Sequence, residues 1–351
     1  MFKRLYAWVL CGLLILLCAA CQRLENSPAP PPLDADMERL PILEESEVTT
    51  ATVYYATLDK KYLLPLNLTV NATKEVAQVT LEKLLAGPPS ATAASLLPPD
   101  TKLLDLYSSQ TIVYVNVTKD ILEVDRAYAQ LALDSILCTV LPLTEGYRLQ
   151  LLVEGQVGEH LGSVDISAPL ALPEPGINLD APSRERWRLY QAKDEATVGI
   201  ALTYYLSDSQ ALYLVPQTLF YLPETEEGDG ESAAEEDRYS PAAYARAVLA
   251  ALLEADEQNS GLNHPFWTGT ELLDLWVEDN TVYVDFSSQL TGYGGGAATE
   301  SMLLDCLTYS LTSLPGISAV QVLIEGRSGS LPEGMDISKP LTPQKPINDQ
   351  Q

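Results

Sequence analysis

The stretch TKLLDLYSSQTIVYVNV, residues 101–117, returns as TELLDLWVEDNTVYVDF at residues 270–286. Each reads as two strands joined by a tight turn. In the second strand of the first copy, Ile112, Tyr114 and Asn116 alternate with Val113, Val115 and Val117, the period-two pattern of a strand with one apolar face. The copying extends outward. Leu133-Asp134 recurs as Leu304-Asp305, Glu154-Gly155 as Glu325-Gly326, and Asp165-Ile166-Ser167 as Asp336-Ile337-Ser338. Order kept over this length implies a duplicated module rather than chance, and the period is far longer than in solenoid repeats.

Each copy reads as strand–strand–helix–strand–strand–helix–strand. In the first, Ala77, Leu81, Leu84 and Leu85 form a helical stripe that Gly87-Pro88-Pro89 stops; in the second, Ser240-Pro241 is a strong helix start. The predicted class is α+β: two tandem homologous domains, each a mainly antiparallel sheet with two helices packed on one face. Each domain is expected to close its own core. The domains span residues 48–171 and 197–342, the latter interrupted by an acidic insertion at 224–237. Residues 172–196 read as a linker and 343–351 as a tail.

The N-terminus has its own logic. Lys3 and Arg4 precede an apolar run that is too short for an ordinary spanning helix and ends in Leu17-Cys18-Ala19-Ala20-Cys21. Residues 1–20 therefore read as a lipoprotein signal peptide, with Cys21 the lipidated residue; a conventional signal peptide or an uncleaved anchor is the competing reading. Residues 21–47, rich in Pro and acid, read as a solvated tether that sets the height of the folded part above the membrane. The expected location is the extracytoplasmic face of the cell membrane. Cys138 and Cys306 lie within amphipathic helical patterns and read as buried small hydrophobes rather than a disulfide or metal site.

The chain carries 48 acidic against 21 basic residues, a formal net charge of −27. That balance argues against nucleic acid, whose counterion release needs clustered Lys and Arg.

A family is recognisable at this point. TVYYATLDKKYLLPL, a helix ending LEKLLAGPP, LLPPDTKLLDLYSSQTIVYVNV and a closing LQLLVEG together resemble the GerM domain of bacterial sporulation and germination proteins. The second copy diverges, with LLEADE in place of LLAGPP. The resemblance implies an envelope component of endospore formers, similar in fold to ring-building domains and tied to the channel assembly between mother cell and forespore.

Catalytic signatures are weak. His160 and His264 have no counterpart in the other copy, and no nucleophile elbow, phosphate loop or CxxC pattern occurs. Glu154, Asp165, Glu325 and Asp336 are the best carboxylate candidates for a hydrolase pair. A structural reading is favoured, because a Glu before a Gly turn and an Asp-Ile-Ser turn are common devices. Gly292-Tyr293-Gly294-Gly295-Gly296 reads as a helix entry rather than an anion cradle, and the acidic run as a solvated insertion rather than a Ca²⁺ loop. No cofactor or metal is expected. Tyr54-Tyr55 and Tyr204-Tyr205, on the first strand of each copy, are the candidate partner surface, one ring of each pair inward and one outward.

The expected function is thus a non-catalytic, lipid-anchored scaffold that docks other envelope or sporulation-complex proteins, or further copies of itself. The alternatives are a peptidoglycan- or carbohydrate-active enzyme, and a solute-binding lipoprotein with a ligand cleft between the copies.

Overall fold

The computed structural model describes residues 48–72, 75–109, 111–192, 198–223, 238–255, 260–292 and 296–350. The leader, Cys21, the tether, the acidic insertion and Tyr293 to Gly295 lie outside the described residues. Both repeats belong to one compact unit, Glu47–Gln351.

Repeat 1 begins with the antiparallel hairpin β1 (Val48–Ala56) and β2 (Leu63–Asn71), then helix α1 (Val76–Ala86). β3 (Leu103–Ser109) and β4 (Ile112–Val117) form the second hairpin, followed by α2 (Ala129–Val140) and β5 (Arg148–Val153). Short strands β6 (Gln156–Val157), β7 (His160–Leu161) and β8 (Val164–Asp165) close the unit. Helix α3 (Ala181–Gln191) then stands where a linker was expected. Repeat 2 follows the same order: β9 (Ile200–Ser207), β10 (Leu214–Tyr221), α4 (Pro241–Glu254), β11 (Leu272–Glu278), β12 (Thr281–Phe286), α5 (Ala297–Thr312) and β13 (Ala319–Ile324).

The α+β class holds, with one refinement. Each repeat divides its strands between a two-stranded hairpin and a separate sheet, ordered β3-β4-β5-β6 in repeat 1 and β11-β12-β13 in repeat 2. In the larger sheets β5 runs parallel to β4, and β13 parallel to β12. The helix between those strands supplies the crossover that a parallel pair requires.

Alternation decides which faces are buried. Val113, Val115 and Val117 are buried, as are Val282, Val284 and Phe286, and they meet Leu133, Ile136, Leu304 and Leu307 of the helices. Both first strands are tied to a helix hydroxyl: Tyr54 N donates to Thr139 Oγ1 (3.0 Å) and Tyr205 N to Ser310 Oγ (2.8 Å). Helices thus cover the open edges of β1 and β9, where an unpaired strand would invite aggregation.

The expectation of two separately closed interiors is corrected. Buried apolar residues of both repeats form one contiguous cluster. The presumed linker and tail make the junction. Asn178 lies in the gap between β2 and β10: its Oδ1 accepts from Leu63 N, and its Nδ2 donates to Leu63 O and Pro216 O, each at 2.8 Å. Asn348 does the same from the opposite side, bonding Leu214 N, Leu214 O and Pro65 O, again each at 2.8 Å. Leu63 and Pro65 match Leu214 and Pro216 in the repeat, so the junction is a pseudo-two-fold clasp. Proline lacks an N–H, so Pro65 and Pro216 leave no donor unpaired where the two hairpins face each other, and the asparagines take up the carbonyls. Tyr62 and Tyr213 repeat the theme. Tyr62 donates across to Ser260 O (3.0 Å), and the Tyr213 hydroxyl lies 2.6 Å from Thr92 Oγ1.

α3 is read from the same logic. Asp180 caps it by accepting from Ser183 N at 2.6 Å, with Pro182 in the first turn. Trp187 and Tyr190 pack edge-on against Phe220 of β10, with centroids 5.0 and 5.2 Å away. Gly199 lets that ring approach, because a Cβ there would stand 2.2 Å from Phe220 Cζ.

Candidate interaction surfaces and a lined cavity

The tyrosines expected to face a partner lie mostly inward. Tyr55 is fully buried and donates its hydroxyl to Lys83 O (2.8 Å); Tyr204 is buried and donates to Asp180 Oδ2 (3.1 Å). Burial pushes the Tyr54 phenol up to about 12, with lesser contributions from Cys138 and Tyr205. Tyr205 rests edge-on against Tyr309 at 6.3 Å. The equivalence also shifts by one residue. Tyr54 pairs with Pro65 and Tyr205 with Pro216, so Tyr54 corresponds to Tyr205, and Tyr55 to Leu206. Tyr54 is half-buried against the shared core and Tyr205 half-buried beside Tyr309, so this set is an interior one and not an outward surface.

The outward aromatics are elsewhere. Tyr107 of β3 stacks on Tyr114 of β4 with centroids 5.0 Å apart and planes at 11°. Trp276 of β11 stacks on Tyr283 of β12 at 4.8 Å and 3°. The two pairs occupy matching positions in the opening repeat. Direct cross-strand register brings the rings together. Tyr107 is 44 % exposed and Trp276 37 %. Beside them, both edge strands carry a register shift, between Leu103 and Asp105 and between Leu272 and Asp274. The extra residue at each bulge, Leu104 or Leu273, is left exposed. Both copies thus present the same set: an edge strand, an exposed bulge leucine and a half-exposed aromatic stack. The sequence signal was present in the opening quotation, at Leu104/Leu273 and Tyr107/Trp276.

The candidate carboxylates act as turn caps. Glu154 Oε1 accepts from Lys119 N (3.1 Å), and Glu325 Oε1 from Ser288 N (3.3 Å). Asp165 Oδ1 accepts from Ser167 N, and Asp336 Oδ1 from Ser338 N, both at 2.8 Å. The Ser167 and Ser338 bonds hold both aspartates below the usual carboxylate range. His264 clips its own loop between Phe266 O and Leu253 O, and His160 is exposed. Cys138 and Cys306 are free and buried, and burial raises both thiols. Among the described residues no His, Cys, Asp and Glu cluster could hold a metal ion. Among them, too, no helix is long and apolar enough to cross a membrane.

A cavity of about 960 Å³ opens between α3, the β9–β10 hairpin and α4, with Tyr62 of repeat 1 at its wall. Leu206, Leu219, Ala247 and Ala251 make it apolar, and Tyr204 and Tyr221 add hydroxyls. Arg184, Arg186 and Arg238 also line it, as do Asp180 and Glu254.

The comparisons with known proteins follow from this architecture. The family profile described as Germane, sporulation and spore germination, matches residues 52–159 and 203–330. Among solved structures, the tandem GerMN domains of the sporulation protein GerM from Bacillus subtilis are similar, with a TM-score of 0.57 at 19 % identity, over 86 % of this chain and 99 % of that one. A putative lipoprotein from Clostridium perfringens aligns over 37 % of this chain and 89 % of its own, at 24 % identity and a TM-score of 0.27. No curated protein sequence matches the chain. The profile covers well over half of the residues, and the protein belongs to the Germane family of sporulation and spore germination.

Proposed function

We propose that the protein is a non-catalytic, lipid-anchored scaffold of the cell envelope in sporulation or spore germination. In this reading Cys21 carries the lipid, residues 21–47 set the reach, and the clasped repeats dock neighbouring envelope proteins in a channel-type assembly. The observation that carries it is the matched pair of outward features, Tyr107–Tyr114 with Leu104 and Trp276–Tyr283 with Leu273, each beside an edge strand. Exposed aromatics next to unpaired strand edges are the chemistry of partner docking. Two such faces on one clasped body let a second contact form at high effective concentration once the first is made. The capping roles of Glu154, Glu325, Asp165 and Asp336 support the non-catalytic reading over a hydrolase.

Photo-crosslinking in intact cells tests this. Crosslinkers at positions 107 and 276 are expected to capture envelope proteins, while crosslinkers at the buried positions 55 and 204 capture none. Recovery of the monomer alone from positions 107 and 276, in both sporulating and vegetative cells, overturns the proposal.

A further inference from the structure

We propose that the cavity between α3, β10 and α4 binds an anionic amphiphile: an oxyanion head, phosphate or carboxylate, held by the arginines, and an aliphatic body laid against the apolar wall. This goes beyond the scaffold reading and uses none of its surface. The apolar part is built by design of the helix face. α4 turns Tyr244, Val248, Leu249 and Leu252 into the core and leaves Ala247, Ala250 and Ala251 toward the cavity, where small side chains keep space open. A volume of about 960 Å³ lies within the range of small-molecule sites.

The polar part is more telling. The chain has 48 acids for 21 bases, so an arginine would normally find a carboxylate. Yet among the described residues none of Arg184, Arg186 and Arg238 forms an ion pair. Arg184 Nη2 donates only to Leu179 O (3.1 Å), and Arg186 Nη2 to Ser183 Oγ (3.3 Å). Asp180, which also lines the cavity, is already committed: its Oδ1 caps α3 and its Oδ2 accepts from Tyr204. The guanidiniums sense the cavity wall, since Arg184 and Arg186 act on the Tyr62 and Tyr204 phenols against the effect of burial. Guanidinium forks with free donors beside an apolar wall match an oxyanion on a hydrocarbon body.

The whole-protein field makes the test sharp. A net charge of −27 attracts cations and repels anions at long range. Selective uptake of an anion therefore has to come from a local site. Titration calorimetry of the full chain compares dodecyl phosphate, dodecyltrimethylammonium and inorganic phosphate, each below its micelle concentration. Dodecyl phosphate is expected to bind one to one, at least tenfold tighter than either control. The exposed pair Arg184→Gln with Arg186→Gln is expected to weaken it tenfold or more with an unchanged melting temperature. Ala251→Phe, which fills the cavity, is expected to abolish it. Phosphatidylglycerol vesicles identify the source. Arginine-dependent sedimentation with vesicles assigns a bilayer lipid, while binding of the monomer alone assigns a soluble ligand, and either supports the site. Two results overturn the proposal: no binding of dodecyl phosphate, or equal binding of the cationic detergent with no effect of the arginine changes.

Discussion

Asn178 and Asn348 make the same three hydrogen bonds across the junction between the repeats, each from a left-handed backbone, φ 52° and 50°. Asparagine suits the role twice over. It tolerates positive φ, and its amide matches one N–H and two carbonyls. Asn178→Ala strands Leu63 N, Leu63 O and Pro216 O and adds backbone strain; the expected cost is about 2–4 kcal/mol. Asn178→Gly keeps the backbone conformation and loses only the bonds, so it should cost less. In urea unfolding the single variants are expected to shift the midpoint. The double variant Asn178→Ala with Asn348→Ala should broaden the transition or split it, as the repeats lose their coupling. Midpoint shifts worth under about 0.5 kcal/mol would show that the clasp is incidental.

That junction marks where sequence reasoning stopped. The repeats were legible because strand alternation and helix stripes are local patterns, and β5 (Arg148–Val153), β12 (Thr281–Phe286) and α4 (Pro241–Glu254) fall where the pattern puts them. The clasp is not local. Asn178 bonds residues 115 and 38 positions away, and no periodicity announces such a contact. The one available signal was Ile177-Asn178 recurring as Ile347-Asn348 in stretches read as linker and tail. The tyrosine misreading has a similar origin. Two Tyr-Tyr pairs invite a direct match, whereas Leu63-X-Pro65 and Leu214-X-Pro216 set the true register one residue away. α3 was missed because its apolar residues are few, although Asp180-Ala181-Pro182 is a recognisable helix start.

Tyr62 and Tyr213 offer an independent measure of the junction. Each sends its hydroxyl to the loop after the first helix of the other repeat. Tyr62→Phe removes one hydrogen bond, and Tyr213→Phe removes the short bond to Thr92 Oγ1 with a longer one to Ser90 Oγ (3.4 Å); each should cost about 1 kcal/mol. Because Tyr62 meets Ser260 and Tyr213 meets Thr92, with no partner in common, their effects should add within about 0.5 kcal/mol in a double-mutant cycle. A large coupling between them would mean that the junction opens as one unit.

The outward stacks predict a contrast with the core. Trp276→Ala removes a half-exposed ring from its stack on Tyr283, at an expected cost of about 1 kcal/mol. Phe286→Ala empties a fully buried site on the same sheet and should cost about 3–5 kcal/mol. Thermal unfolding of the two variants separates them. If Trp276→Ala proves as damaging as Phe286→Ala, that ring serves the fold and is not held ready for a partner.

Asp134 and Asp305 occupy the same position in α2 and α5, and burial raises both above the usual carboxylate range, against the hydrogen bonds from Gln130 and Ser301. The sign of the effect follows from linkage. A carboxyl whose folded pKa lies above its unfolded one binds its proton more tightly in the native state. Its stabilising contribution is complete below the unfolded pKa, and it fades as pH rises through the folded pKa. At neutral pH half-buried Asp134 therefore carries a burial penalty as a charged carboxylate, whereas Asp305 is exposed to solvent, which screens its penalty. Asp134→Asn, which keeps the shape and a hydrogen-bond acceptor, is expected to raise the melting temperature at pH 7, and Asp305→Asn to raise it less. The gain should shrink toward zero as pH is lowered below the ordinary carboxylate range, where the aspartates are themselves neutral. Exposed Asp165 and Asp336 have the opposite sign: their folded pKa is lowered, so what they contribute is lost on acidification. Melting curves of Asp134→Asn from pH 3 to pH 8 discriminate between these cases. A gain that grows on acidification would place Asp134 with the turn-capping aspartates and contradict its burial.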